Sequence, residues 1–254
     1  MKITCIGTGS SGNAFYVEGR KGTGIYLDAG ISPKVIQRMG LPLANVSVFV
    51  THEHGDHGGY AKRLQRDYGC QIYCSLGTAV ALDLENCRLP VDLIHFDGPV
   101  VFSDDQGLNE VRSFPVIHNA EEPIGFFIQL DGERLIYLAD SGMPPYLWGM
   151  DLKPDVMILE SNYTEKRMKE QAEKSAQKLF VAGRVSSGMG HLSANDTYEF
   201  AKPYYQHADL IVLFHLSGNN FDRTEFYQDE RIDEEYKKKV VFAKAGGRWN
   251  TLPF

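Results

Sequence analysis

The segment VFVTHEHGDHGGY, residues 48–60, constrains this chain more than any other stretch of its sequence. Three histidines and two acids fall within six positions, His52 to His57, directly after an apolar run. Imidazoles and carboxylates crowded together are costly to bury unless a partner neutralises and fixes them. A metal ion does both, so the segment predicts a metal site that other parts of the chain must complete.

Apolar strands of the sequence run six times into one polar residue that could bind a metal or support a ligand. A single His or Asp at a strand end is ordinarily a hydrogen-bonded surface residue. Six strands that each end in such a residue need another explanation, because a site assembled at one edge of a sheet would require several strands to end in a ligand. The six residues are Asp28, His52, His118, Asp140, Glu160 and His215. His95 and His207 sit in polar segments without such a pattern and are expected to lie outside the site.

The HxHxDH segment can supply two separate sets of ligands. His52 and His54 are two residues apart, so in extended backbone they point to the same side. Gly55 allows the chain to turn and aim Asp56 and His57 elsewhere. We therefore expect two metal ions. The expected ligands are His52, His54 and His118 for the first ion and Asp56, His57 and His215 for the second, with Asp140 bridging the two.

The charge balance makes a polyanionic substrate less obvious without excluding it. The 254 residues include 26 basic and 33 acidic side chains, a net charge of −7. An acidic protein is not built as a non-specific nucleic-acid binder, but two divalent ions would bring the charge to −7 + 4 = −3. The basic residues of 164–180 are expected to form a solvated face, with contact to a polyanion as the alternative. They are Lys166, Arg167, Lys169, Lys174 and Lys178.

Neither a membrane span nor a signal peptide is predicted, because the start, MKITCIGTGS, lacks a long apolar region. A cytoplasmic location is expected. The four cysteines, at irregular spacing, predict buried reduced thiols. A metal or disulfide role for Cys70 and Cys74 is the alternative.

Short apolar runs broken by glycine predict hairpins in the first half, and LDGER, residues 130–134, predicts a further hairpin turn. Single helices are predicted over 164–180 and 223–239, and another begins at a Ser193 cap. Strands outnumber helices and both occur in each half, which favours an α+β fold with sheets covered by helices. No linker or repeat interrupts the chain, so one domain, 1–254, is predicted.

The ordered series Asp28, THEHGDH, His118, Asp140 and His215 resembles the metallo-β-lactamase-fold hydrolases, and HxHxDH is highly specific for that superfamily. The resemblance implies a four-layer αββα sandwich with the site at one edge of the two sheets. Five further motifs are similar to the YycJ/WalJ-type branch, bacterial and phage proteins regarded as 5′-to-3′ DNA exonucleases. They are GSSGNAFYVE, HNAEEPIGFFI, LESNY, GHLSANDT and FHLSGNN.

The resemblance also implies roles for individual residues. Asp28 would orient the histidine segment, and His191 would donate a proton to the leaving oxygen or contact the scissile phosphate. Glu160 would orient His191, and Asp56 joins them in the expected catalytic set. Tyr163 stands where relatives commonly carry His. GHLS and FHLS also resemble late motifs of tRNase Z, but this chain lacks its Gly/Pro-rich arm, so tRNA processing is not expected.

These patterns together predict an enzyme, a metal-dependent phosphodiesterase that hydrolyses nucleic acid, DNA in preference to RNA, as an exonuclease. A metal-bridging hydroxide would attack phosphorus. The expected cofactors are two divalent ions, Zn²⁺ first and Mn²⁺ as the alternative. The competing hypotheses are a small-molecule hydrolase, acting on a cyclic phosphodiester, lactone or thioester, and a metal-stabilised binding protein without turnover. The oligomeric state stays open, with a homodimer among the states allowed.

Overall fold

The computed structural model describes residues 1–85, 91–92, 100–101, 109–142, 151–186 and 190–251. The chain divides into two compact units. The first comprises Met1–Pro115, Ala120–Tyr137 and Ala243–Phe254, and the second Val116–Asn119 and Leu138–Phe242. Within the described ranges, no helix is both long and apolar enough to cross a membrane.

Strands outnumber helices in the described part of the chain, in agreement with the predicted α+β class. The strands are β1 (Lys2–Gly7), β2 (Ala14–Glu18), β3 (Gly24–Leu27), β4 (Ser47–Phe49), β5 (Gln71–Tyr73), β6 (Val91–Asp92), β7 (Val100–Val101), β8 (Glu110–Pro115), β9 (Ile124–Leu130), β10 (Glu133–Leu138), β11 (Val156–Glu160), β12 (Leu210–Phe214), β13 (Val240–Phe242) and β14 (Arg248–Asn250). The helices are α1 (Pro33–Arg38), α2 (Gly55–Gly58), α3 (Ala61–Tyr68), α4 (Leu76–Ala81), α5 (Glu165–Ala172), α6 (Ala176–Val185), α7 (Ala194–Ala201), α8 (Arg223–Gln228) and α9 (Glu234–Lys239).

The first unit contains a six-stranded sheet of order β14-β1-β2-β3-β4-β5. Neighbours from β14 to β3 pair antiparallel, which confirms the predicted hairpins, and β3, β4 and β5 pair parallel. Helices α1, α3 and α4 contribute buried side chains to the core on this sheet, among them Ile36, Leu64 and Ala79. The parallel register places Leu27, the last residue of β3, opposite Phe49, the last of β4.

A second group of strands in the first unit pairs β10 with β9 and β9 with β8, all antiparallel. The turn between β9 and β10 is the predicted hairpin. Asp131 and Gly132 both have positive φ, 51° and 86°, as a type I′ turn requires.

The second unit is built on three parallel strands, with β12 between β11 and β13. Every residue of β11 and β12 is buried, as expected for strands covered on both faces. Their register sets Glu160, the last residue of β11, opposite Phe214, the last residue of β12. Both strands therefore end at the same edge.

Two predicted helices are wrong, because each is divided in two by a capping side chain. The predicted helix 164–180 is α5 followed by α6, and the Ser175 hydroxyl accepts the Lys178 N–H at 3.2 Å where α6 begins. The predicted helix 223–239 is α8 followed by α9, which begins at Asp233. Capping side chains offer the backbone a local partner and favour a helix start over continuation. The predicted Ser193 cap is confirmed, with a full capping box to Asp196.

Three of the four cysteines, Cys5, Cys70 and Cys74, are buried thiols that form no disulfide with one another, which confirms the prediction for them. Cys87 and His95 lie outside the described residues. His207 is exposed, and no group of potential metal ligands among the described residues includes it.

The carboxylate of Asp131 links the β9–β10 turn to the β2–β3 turn. It accepts the Lys21 N–H at 2.7 Å, the Thr23 hydroxyl at 2.7 Å and the Thr23 N–H at 3.3 Å. We expect Asp131→Ala to lower the free energy of unfolding by about 2 kcal/mol, because three donors of the β2–β3 turn lose a charged acceptor. Urea denaturation measures this change.

Asp83→Ala is the matched control, since Asp83 has the same φ of 51° but an exposed side chain. It should cost less stability than Asp131→Ala. Equal losses would show that the strained backbone, and not the carboxylate contacts, accounts for the effect.

Candidate metal centre

The Asp28 carboxylate contacts the histidine segment, residues 48–60, within the first unit. It follows β3 directly and is 1% exposed. Its Oδ1 accepts the Thr51 N–H and the Thr51 hydroxyl, both at 2.9 Å, and its Oδ2 accepts the Tyr137 hydroxyl at 2.6 Å. The Nδ1 of His57 lies 2.7 Å from Oδ2. A carboxylate can only accept, so Nδ1 carries the proton and Nε2 presents its lone pair.

The Nε2 atom of His57 faces polar neighbours and not the apolar core. It lies 3.7 Å from Asp56 Oδ2 and 3.0 Å from Asn13 Nδ2. The short helix α2 carries both Asp56 and His57, and the Asp56 carbonyl accepts the Asn13 N–H at 2.7 Å. The turn after Gly55 thus aims a carboxylate oxygen and an imidazole nitrogen into the same region.

His52 and His54 form a second pair of donors in the first unit. The Nε2 of His52 and the Nδ1 of His54 are 3.1 Å apart, and the ring centroids are separated by 4.7 Å. The other nitrogen of His52 lies 3.0 Å from the Thr51 hydroxyl. Two imidazole nitrogens this close are suited to sharing one cation, although their role as ligands stays a prediction.

The second unit brings together the other five site residues: His118, Asp140, Glu160, His191 and His215. One potential ligand atom from each of the last four lies within 4.8 Å of the others. Asp140 Oδ1 is 3.4 Å from His215 Nδ1, and Asp140 Oδ2 is 3.7 Å from His118 Nε2. The Nδ1 of His118 donates to the Gly190 carbonyl at 3.1 Å, which leaves its Nε2 as the acceptor nitrogen.

The fully buried Glu160 carboxylate contacts both a backbone amide and an imidazole. Its Oε2 accepts the Ser141 N–H at 2.8 Å, and its Oε1 contacts His191 Nδ1. Burial lowers the pKa of His191, but the Glu160 charge and hydrogen bond outweigh it and hold that pKa above its ordinary value. Burial raises the pKa of Glu160, yet its interactions with His191 and His215 bring that pKa below the usual range.

Left-handed backbone recurs at three of the strand ends that carry site residues. The φ angles of Asp28, Asp140 and His215 are 60°, 32° and 56°. This region is sparsely populated by residues other than glycine, although Asp and His tolerate it better than most. Such conformations cluster at functional sites, where surrounding contacts hold them. At these three positions the chain has just left a strand.

The donor set fits divalent metal ions. Imidazole nitrogens and carboxylate oxygens converge in each unit, and the hydrogen bonds of His57 and His118 leave Nε2 as a lone-pair donor. Imidazole suits Zn²⁺ while carboxylates also accept Mn²⁺. In both of these histidines Nδ1 is hydrogen-bonded to a protein oxygen, as is typical of metal-binding histidines.

Two buried asparagines, Asn13 and Asn162, contact candidate ligands and were missed by the sequence analysis. Each lies within a motif quoted above, GSSGNAFYVE or LESNY, yet a carboxamide gives no ligand signal of its own. Tyr163, the departure from the relatives, is 8% exposed and packs with Met168 and Ala182 in an apolar cluster. Its pKa is raised to about 12, chiefly by burial.

Known proteins resemble this chain in sequence and in fold. The family described as a beta-lactamase superfamily domain matches residues 23–216. Exodeoxyribonuclease WalJ of Streptococcus pneumoniae is 27% identical over 235 residues, which cover 87% of this chain and 83% of that protein. Exodeoxyribonuclease YycJ of Bacillus anthracis is 28% identical over 229 residues, covering 87% and 84%. The structure of human tRNase Z, short form, aligns over 100% of both chains with a TM-score of 0.66 at 17% identity.

The Asp28–His57 contact generates a testable prediction. In Asp28→Asn an NH2 group replaces one carboxylate oxygen, so a donor faces either the Thr51 donors at Oδ1 or the His57 and Tyr137 donors at Oδ2. We expect metal affinity to fall by about 10–100-fold, measured by competition with a chelator. Tyr137→Phe removes one donor and leaves the Asp28–His57 contact, so its metal affinity should stay near that of the wild type. Unchanged affinity in Asp28→Asn would contradict the orienting role.

The family match and the structural neighbours confirm the predicted metallo-β-lactamase fold and the prediction of an enzyme, a metallo-hydrolase. The likeness to tRNase Z, at 17% identity, extends to the fold alone. The match covers most of the chain, from the strand that precedes Asp28 to the residue after His215. This chain belongs to the beta-lactamase superfamily.

Proposed function

We propose that this chain is a metal-dependent phosphodiesterase that hydrolyses nucleic acid, and that it acts on DNA as an exonuclease. The observation that carries the proposal is the His191–Glu160 pair beside Asp140 and His215. A phosphodiester releases an alkoxide, which is a poor leaving group unless it is protonated. An imidazole held by a buried carboxylate is suited to that task, whereas a thioester, which releases a thiolate, has little need of it.

The exodeoxyribonuclease relatives support DNA as the substrate and cleavage from an end as the mode. At 27–28% identity they are distant, so substrate and mode are part of the proposal. We extend it to residues 1–254 acting as one hydrolase domain, and to the cytoplasmic location predicted from the sequence.

The proposed ligands are those predicted from the sequence. They are His52, His54 and His118 for one ion, Asp56, His57 and His215 for the other, and Asp140 for both. We favour Zn²⁺ because the set is rich in imidazole, with Mn²⁺ as the alternative. Bound ions of this kind would supply an acidified water and stabilise charge on the phosphate oxygens.

Protein groups would orient the imidazoles and move one proton. Asp28 holds Nδ1 of His57, so the ring cannot turn its Nε2 away from the site. Glu160 contacts Nδ1 of His191, so Nε2 of that ring points away from the carboxylate. The side chain of His191 is 20% exposed whereas that of Glu160 is 0% exposed, so only the imidazole can reach a substrate. His191 would donate the proton at its Nε2 to the departing oxygen.

A nuclease assay tests this proposal. We expect protein loaded with Zn²⁺ or Mn²⁺ to shorten end-labelled DNA progressively from one end, and His57→Ala to abolish the activity because a ligand is lost. Single- and double-stranded DNA and RNA are compared on sequencing gels. Internal cuts, or RNA cleaved in preference to DNA, would overturn the exonuclease or DNA part of the proposal.

The second candidate is a small-molecule hydrolase, which the net charge of −7 favours. It predicts hydrolysis of bis-p-nitrophenyl phosphate, a cyclic phosphodiester, a lactone or a thioester by protein that leaves every nucleic acid intact. Assays of these substrates on one preparation of known metal content show why nucleic acid is not cleaved. Hydrolysis of a small substrate means that the nucleic acid is unsuitable, and no hydrolysis of any substrate means that the metal centre is inactive.

His191→Ala tests the proton donor. We expect kcat on DNA to fall by about 10²–10⁴-fold, with metal content retained. The loss on bis-p-nitrophenyl phosphate should be much smaller, because nitrophenolate departs without a proton. His207→Ala, at an exposed histidine, is the matched control and should behave as the wild type. Equal losses on both substrates, or loss of bound metal, would contradict a proton-donor role.

A further inference from the structure

Asn162 lies where three segments of the second unit meet. It is two residues beyond Glu160 at the end of β11 and is 7% exposed. Its N–H donates to the carbonyl of Leu192, the residue after His191, at 2.9 Å. Its own carbonyl accepts the Ser217 N–H, also at 2.9 Å. The main chain of one residue therefore joins the segments that carry all three candidate groups, Glu160, His191 and His215.

The side chain of Asn162 is directed at His215. Its Nδ2 donates to the His215 carbonyl oxygen at 2.9 Å and lies 3.2 Å from Nδ1 of the same residue. His215 has a φ of 56°, a conformation that neighbouring contacts must hold. The hydrogen bond to the carbonyl holds the backbone of His215, from which the imidazole projects.

This hydrogen bond joins the end of β11 to the residue that follows β12. Without the carboxamide, that carbonyl oxygen would lose a buried hydrogen bond, and the loss of a buried hydrogen bond costs stability. The backbone would relax out of the left-handed region, and the imidazole would move with it. A metal ligand displaced by a fraction of an ångström binds its ion more weakly.

The geometry points to Asn162 as a positioning residue that holds His215 ready to bind a divalent ion before the ion arrives. This inference rests on the proposed function, because it takes His215 as a ligand. The Asn162 nitrogen acts through His215 and is not itself a ligand, because a carboxamide nitrogen that carries two protons does not coordinate a cation.

Two variants separate hydrogen bonding from packing. Asn162→Ala removes the carboxamide, and Asn162→Leu keeps the same number and branching of heavy atoms while removing the donor. We expect both to bind one of two Zn²⁺ ions about 10–100-fold more weakly and the other as the wild type does, in chelator competition. On bis-p-nitrophenyl phosphate at limiting Zn²⁺, kcat should fall with KM nearly unchanged.

Asn109→Ala is the matched control. Asn109 is buried in the first unit, and its Oδ1 accepts the Asp131 N–H at 2.8 Å. It should lower the melting temperature of the metal-free protein while leaving the affinity for both ions unchanged. Wild-type Zn²⁺ affinity in Asn162→Leu, or an equal loss of affinity in Asn109→Ala, would overturn the positioning role.

A measurement on the wild-type protein covers the case in which the Asn162 variants do not fold. In ¹H–¹⁵N spectra the carboxamide protons of Asn162 should exchange slowly with solvent and shift when Zn²⁺ is added. Fast exchange and an unchanged signal would overturn the inference. If the wild type binds Zn²⁺ but cleaves no phosphodiester, the proposed function fails, whereas the affinities still decide the role of Asn162.

Discussion

Buried carboxylates are the constraint on which the site depends. Asp28 and Glu160 are 1% and 0% exposed, and an ionised carboxylate in such a place is tolerated only when protein donors replace its water. Asp28 is surrounded by the Thr51 amide and hydroxyl, the Tyr137 hydroxyl and the His57 ring. Glu160 takes the Ser141 amide and the His191 ring. Burial of each acid therefore depends in part on a contact with one imidazole, and the same contact fixes the orientation of that ring.

The same arrangement in both units links stability to chemistry. When a carboxylate contacts Nδ1 of an imidazole, only Nε2 remains for binding a metal or donating a proton. The role proposed for Nε2 is metal binding in His57 and proton donation in His191. The difference follows from exposure, since the His57 side chain is 0% exposed whereas that of His191 is 20% exposed. One pairing of acid and imidazole can therefore support two roles.

Much of the fold could be predicted because it is encoded locally. Alternation of apolar runs and glycines predicts the β1–β2–β3 hairpins, and the Asp131–Gly132 pair predicts the type I′ turn. The helices over 164–180 and 223–239 were predicted too long, because polar composition alone does not show that Ser175 and Asp233 begin new helices. A serine or aspartate within a polar stretch can be solvated or can cap, and the surrounding fold decides between them.

The sequence by itself determined the types of donor, their order along the chain and the superfamily, because ligand chemistry and the HxHxDH spacing are properties of neighbouring residues. Only the tertiary structure decided which nitrogen of each imidazole is held and by which partner. Asn162 reaches His215 across 53 residues, and Asp28 reaches Tyr137 across 109. Contacts between such distant residues depend on strand register and on left-handed turns at strand ends, which no local pattern specifies.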